Sequence, residues 1–144
     1  FKGKSTPSGT AEYPFNPLEL MLASGATYVA RGYSRKMDLL KKLVVEGIAH
    51  KGFSFIDVLQ ICATFFPAAD YYSPRVYELS DHDRTNFESA CSKAREWDYN
   101  SDARIALGTF FTRSLPTFDE KTGVHEGSAK DRKQSLRDVF LMKT

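Results

Sequence analysis

The sequence predicts an α/β fold, with parallel strands packed by helices. Three observations carry that expectation. Two β-prone runs, 26–31 and 53–61, bracket a segment whose apolar residues recur at spacings of three and four. The strand, helix, strand unit from Thr27 to Ile61 has the length and order of a right-handed βαβ crossover. The second run, Phe53 to Ile61, is apolar on both alternating faces, the pattern of a strand covered on both sides.

The elements follow in chain order. Residues 1–16 read as loop, with Gly3, Pro7 and Gly9 and no apolar period. Asn16-Pro17 opens a short helix, since Asn suits the N-cap and Pro the first helical position. Ser24-Gly25 closes it. After the strand at 26–31, Ser34 is positioned to cap the amphipathic helix, with Met37, Leu40, Val44 and Ile48 as its stripe and Leu43 and Gly47 beside them. His50-Lys51-Gly52 ends that helix, placing cations at the negative end of the dipole. Residues 62–82 read as an aromatic loop, with Arg75–Leu79 as a short edge strand. A helix follows Asp81–Asp83, with Phe87, Ala90, Cys91, Ala94 and Trp97 on one stripe. Arg104–Phe111 reads as a buried strand and 112–129 as loop. From about Lys130 a last amphipathic helix presents Leu136, Val139, Phe140 and Met142.

Composition narrows the function classes. The chain has 144 residues, 42% of them hydrophobic, and 20 Lys+Arg against 18 Asp+Glu give it a formal charge of +2. That is one domain's length with too little charge imbalance for disorder. Near-neutrality also argues against a nucleic-acid partner. No apolar run approaches the roughly 20 residues of a membrane span, so no membrane is expected. Two cysteines are too few for a secreted disulfide framework, and the cytoplasm is the expected compartment. The first residue is Phe1 rather than Met, which suggests a chain processed, trimmed or cut from something longer.

Few residues stand out chemically. Cys62 lies just past a strand, at the carboxyl end where open α/β sheets bind ligands. A thiol there is a metal ligand, a nucleophile or a small buried hydrophobe. Cys91, inside an apolar stripe, reads as core. His50 reads as a dipole partner, His82 as solvated capping context and His125 as loop. Asp57 sits within an apolar strand and needs a partner. Arg31, at the end of the preceding strand, is positioned to supply one or to contact an anion. Lys2-Gly3-Lys4-Ser5 superficially resembles the end of a phosphate loop, but no strand precedes it.

Two longer blocks are more specific. They are Pro14-Phe15-Asn16-Pro17-Leu18-Glu19-Leu20 with Ala23-Ser24-Gly25-Ala26-Thr27-Tyr28-Val29-Ala30-Arg31-Gly32, and His50-Lys51-Gly52-Phe53-Ser54-Phe55-Ile56-Asp57-Val58-Leu59-Gln60 followed by Cys62. They resemble the C-terminal portion of the β subunit of 2-oxoacid:ferredoxin oxidoreductases, the thiamine diphosphate-binding subunit. The Trp97 region and Arg104-Ile105-Ala106-Leu107-Gly108 fit it more weakly.

The resemblance implies oxidative decarboxylation of a 2-oxoacid, with coenzyme A as acyl acceptor and ferredoxin as electron acceptor, in partnership with an α subunit. It implies thiamine diphosphate, Mg2+ and a [4Fe–4S] cluster in the parent enzyme, with Cys62 in the place of a cluster ligand. The family's other cluster cysteines and its GDG…N cofactor motif precede the position matching Phe1. Where the family usually shows PCxTYN or PCxTFN, this chain has Ile61 for the proline and Phe66 for the asparagine. The expectation is therefore part of a thiamine diphosphate-binding-type parallel sheet flanked by helices, incomplete here, with a core at 14–112 and a loop and helix at 113–144. The isolated chain is expected to be inactive, to bind no cofactor and to form homo-oligomers through its unpaired sheet edge. The competing reading is a non-catalytic α/β interaction module.

Overall fold

The structure is a computed structural model that describes residue 2 and residues 6–65, 67–99 and 101–122. The expected helix from Lys130 and His125 lie outside the described residues, as do Gly3, Lys4 and Ser5. In order, the elements are α1 (Pro17–Ala23), β1 (Tyr28–Tyr33), α2 (Met37–Ala49), β2 (Ser54–Leu59), α3 (Ala69–Tyr72), β3 (Val76–Glu78), α4 (Phe87–Arg95), β4 (Ile105–Thr112) and α5 (Phe118–Thr122).

Four strands form an open sheet in the order β2-β1-β4-β3. The predicted crossover is present: β1 and β2 pair in parallel through α2, with Arg31 opposite Asp57. A second parallel pair, β3 and β4, is connected through α4. The two units meet at the centre of the sheet, where β1 and β4 run antiparallel. The sheet is thus mixed, its antiparallel seam joining two parallel pairs.

Helices cover both faces. On one side Leu18, Leu22, Val29, Ala90, Ala94 and Phe110 form a cluster under α1 and α4. On the other, Tyr28, Ala30 and Leu43 pack beneath α2. The side-chain alternation along β1 accounts for the division, since Tyr28 and Ala30 face one way and Val29 the other. Asn16 acts as predicted. Its side chain accepts from the Glu19 N–H at 3.2 Å, and its Nδ2 donates to the Ala94 carbonyl at 2.7 Å, fastening α1 to α4.

Three expectations are corrected. Strand β2 is not covered on both sides: it is a half-buried strand at the sheet's edge, with Val58 42% exposed. Ser34 does not cap α2. The helix starts at Met37, and Lys36 at the N-cap makes no side-chain capping bond. The stripe predicted to be buried on α2 is largely its outer surface. Met37, Val44 and Ile48 are exposed, Ile48 by 80%, while Leu43 is buried at 1%. The reason is Gly47. A Cβ there would come within 3.1 Å of the Ile56 side chain, so the helix seats its Leu43–Gly47 side closest to the sheet.

This orientation makes a stability prediction. Leu43→Ala should cost about 2–5 kcal/mol in urea denaturation. Ile48→Ala should stay within about 0.5 kcal/mol. Equal losses at the two positions would mean that α2 is rotated from the orientation described.

Candidate functional site

The parallel pair β1–β2 carries the chemistry-bearing residues towards its carboxyl end. Arg31 is fully buried, and its Nε donates to Asp57 Oδ2 at 2.9 Å. Arg31 Nη2 donates to the Tyr99 hydroxyl at 2.6 Å, and that hydroxyl donates to Asp57 Oδ2 at 2.7 Å. Arginine, phenol and carboxylate thus close a triangle. The guanidinium carbon also lies 5.0, 5.2 and 5.4 Å from the ring centres of Tyr99, Trp97 and Phe110. Arg31 Nη1 makes no hydrogen bond. Aromatic faces are where a guanidinium without a further acceptor finds electrostatic compensation.

Arg31 and Asp57 are the partners the sequence suggested, and the β1–β2 register places them opposite each other. Tyr99 and Trp97 are the members that sequence reasoning missed. Tyr99 has φ +67°, in the left-handed region that disfavours a bulky side chain. Its two hydrogen bonds and its ring stacking 4.1 Å from Trp97 hold it there. Nothing in the local sequence marks that conformation. Burial pushes the Tyr99 phenol well above its usual range. The Arg31 charge opposes this, and the Asp57 charge and hydrogen bond add to it.

Beyond β2 the chain turns at Cys62. Its neighbour Ile61 packs against the cluster of Tyr33, Leu59, Trp97, Ile105 and Leu107, which also gathers Tyr71, Tyr72 and Tyr99. Cys62 itself is exposed and unoxidised, and its Sγ accepts from the Phe65 N–H at 3.4 Å. Ile61, one residue before Cys62, is thus anchored on the cluster that contains Trp97. Among the described residues, no three His, Cys, Asp or Glu side chains come together to hold a metal ion. Cys91 is core, as expected, and burial raises its thiol pKa.

The two described histidines, His50 and His82, make structural hydrogen bonds. His82 is not a solvated cap: its Nε2 donates to the Phe110 carbonyl at 2.6 Å and Nδ1 accepts from Ser89 Oγ at 3.3 Å, tying α4 to β4. His50 bonds Thr27 Oγ1 through Nε2 at 2.9 Å, and its pKa is lowered by burial. A cleft of about 300 Å³ opens between α2 and β4, where Glu46 accepts from Tyr28 and Thr109 and pairs with Arg84. Neither Arg31 nor Cys62 lines it.

Comparison with known proteins places these features. Residues 62–126 match the family described as the C-terminal part of the pyruvate ferredoxin oxidoreductase beta subunit. The chain is 36% identical over 135 residues to 2-oxoacid:ferredoxin oxidoreductase 1, subunit beta, of Aeropyrum pernix, a match covering 83% of this chain and 41% of the relative. These matches make the chain similar to β subunits of 2-oxoacid:ferredoxin oxidoreductases. A second relative, from Saccharolobus solfataricus, is 31% identical over 145 residues, covering 90% of this chain and 46% of that protein. The fold agrees with a solved 2-oxoglutarate:ferredoxin oxidoreductase from Magnetococcus marinus, at a TM-score of 0.75 and 26% identity, over 97% of this chain and 48% of that one. The chain thus spans about half the length of these relatives or less. Among the described residues, no helix is long and apolar enough to cross a membrane.

The triangle sets two measurable expectations. Asp57→Ala leaves a buried arginine without its counter-charge and should cost about 3–5 kcal/mol in denaturant unfolding. The raised Tyr99 pKa means the folded state keeps its proton where the unfolded chain loses it. Stability is therefore full below the ordinary phenol range near pH 10 and falls as pH rises beyond it. Tyr28 and Tyr72, also raised by burial, add to the same slope. Tyr99→Phe should flatten the decline in unfolding midpoint above about pH 10. An unchanged slope would remove Tyr99 as a contributor.

Proposed function

We propose that the chain acts as part of the β subunit of a 2-oxoacid:ferredoxin oxidoreductase. The assembled enzyme oxidatively decarboxylates a 2-oxoacid to its acyl-CoA and passes the electrons to ferredoxin. The observation that carries this reading is the extended match to β subunits named for that reaction, combined with the fold agreement over 97% of the chain. The partners are an α subunit, ferredoxin, coenzyme A and the 2-oxoacid, and the compartment is the cytoplasm.

Within that enzyme, Cys62 is assigned as one ligand of a [4Fe–4S] cluster. The residues present fit that part. The thiol is exposed at the carboxyl end of β2, and a backbone N–H already points at its sulfur. Such N–H···S bonds stabilise a thiolate and are a lever on cluster potential. The described residues bring no second thiolate beside it, so the other ligands come from elsewhere in the assembly. A bound cluster supplies one-electron transfer, and thiamine diphosphate with Mg2+ supplies carbanion stabilisation. This chain's contribution is to anchor the residue before Cys62, since Ile61 packs against the buried cluster that contains Trp97.

In the assembled enzyme, Cys62→Ser should lower iron and inorganic sulfide per subunit. Unchanged cluster content would remove Cys62 from the site. The isolated chain should show no thiamine diphosphate binding by calorimetry, and tight binding would place a cofactor cradle within these residues.

A further inference from the structure

A path of aromatic rings runs from α3 to the Arg31 triangle. Tyr71 and Tyr72 of α3 meet edge to face, their ring centres 5.4 Å apart. Tyr72 meets Trp97 edge to face at 6.1 Å, and Trp97 stacks on Tyr99 at 4.1 Å. Tyr33 joins from the side, 5.9 Å from Tyr72. These are contact distances for aromatic rings, so the path from Tyr71 to Tyr99 is ring to ring throughout. Trp97 at its middle is buried. The side on which it begins is the Cys62 side, since Ile61 packs against the same cluster.

The phenols along this path differ in what receives their protons. Tyr71 donates to the Ser101 carbonyl at 2.6 Å, and Tyr33 pairs with the Ser73 hydroxyl at 3.1 Å. Neither partner is a base. Tyr99 donates to a carboxylate, Asp57 Oδ2, at 2.7 Å, while Arg31 Nη2 donates to the Tyr99 oxygen. A phenol that loses an electron becomes a strong acid and must shed its proton at once. Only an acceptor already in place permits this away from water. Burial keeps the Tyr99 phenol protonated until an electron leaves. A tyrosine held at φ +67° to reach this position is a strained residue of the kind that clusters at functional sites.

We propose that the path is a one-electron relay and that Tyr99 is its sink, a redox-active tyrosine with Asp57 as its proton acceptor. The reaction partner is a strong oxidising radical of the carbonate-radical class, reaching the chain on the Cys62 side. The radical gains one electron and becomes carbonate. The hole passes from Tyr71 and Tyr72 through Trp97 to Tyr99. Tyr99 loses the electron, its O–H bond breaks, and the proton crosses to Asp57 Oδ2. The products are carbonate, a neutral Tyr99 radical and a protonated Asp57. Arg31 Nη2 still donates to the radical oxygen, and its charge still rests on the rings of Trp97 and Phe110. One electron from a thiol-class reductant, with the proton returning from Asp57, restores the phenol. The relay thereby draws oxidising equivalents away from the exposed thiol. It holds whatever Cys62 binds in the assembled enzyme.

A second tyrosine provides an internal contrast. Tyr77 also donates to a carboxylate, that of Glu96, and accepts from Lys93 Nζ at 3.0 Å. Among the described residues no ring contact joins it to the path, so it has the proton acceptor without the relay.

The exposed Cys62 thiol allows a direct test on the 144-residue chain, because a ruthenium tris(bipyridine) photo-oxidant attaches there while Cys91 is buried. After flash-quench oxidation, freeze-trapped samples should show a tyrosyl radical by electron paramagnetic resonance. High-field spectra of the unmodified sequence should give one narrow, lowered gx value, as a fixed hydrogen bond from a guanidinium produces. Formation of the signal should slow in D2O. Tyr99→Phe should abolish it and leave a tryptophan radical in its place, and Trp97→Leu should slow its appearance. Tyr77→Phe and Tyr13→Phe should leave it unchanged. A tyrosyl signal that survives Tyr99→Phe in full yield would overturn the proposal. If that variant does not fold, the unmodified sequence still decides: a broad gx typical of exposed phenols, or formation indifferent to D2O, would overturn it equally.

Discussion

The buried ion pair between Arg31 and Asp57 is the constraint on which the rest of the described structure depends. A guanidinium at zero exposure is costly unless its charge is met; Asp57 supplies the counter-charge and accepts from Nε across adjacent strands, and Tyr99 accepts from Nη2. The demand sets the β1–β2 register, because a slip of one residue would turn Asp57 to the opposite face. It also recruits the segment after α4. Tyr99 takes an unfavourable backbone conformation to complete the triangle, and Trp97 stacks on it. Cys62 lies three residues past the end of β2, and its neighbour Ile61 packs against the cluster that includes Trp97. An electrostatic requirement in the sheet thereby becomes a positional one at the exposed thiol.

How much of this was legible depended on the range of each signal. The Asn16-Pro17 cap, the β1–α2–β2 unit and the Arg31–Asp57 pairing were readable because each is written in local spacing or in one obligatory charge match. The antiparallel seam was not, since strand direction at the centre depends on residues far apart in sequence. Helix α2 shows a subtler limit. It has apolar residues on two arcs, and periodicity identifies the helix without choosing between them. Gly47 held the answer, as the one place on α2 without a side chain to keep the sheet away.

At the candidate site, Cys62 and the ion pair could be picked out by residue type and position. Tyr99 could not, because nothing around it signals a left-handed conformation. Helix α5 was missed although its signal was present. Thr117 accepts from the Glu120 N–H at 3.2 Å while Glu120 accepts from the Thr117 N–H at 2.9 Å. That reciprocal pair is a capping box, announced by Thr-x-x-Glu directly after Pro116. It was overlooked because the helix it opens is only five residues long and has no apolar stripe.

The antiparallel seam has a kinetic consequence. Each parallel unit closes over a modest stretch of chain, but the seam pairs Tyr28 with Thr112. Contacts of such separation carry a large loop-closure entropy before they return any stabilisation, and they slow folding. As the chain emerges during synthesis, β1 and β2 become available long before β4 or Tyr99. Arg31 must therefore wait, hydrated or provisionally paired, until most of the chain exists. Joining the two halves is the natural late step of folding, and the interval before it is when the edges of β1 and β2 are most open to the wrong neighbour.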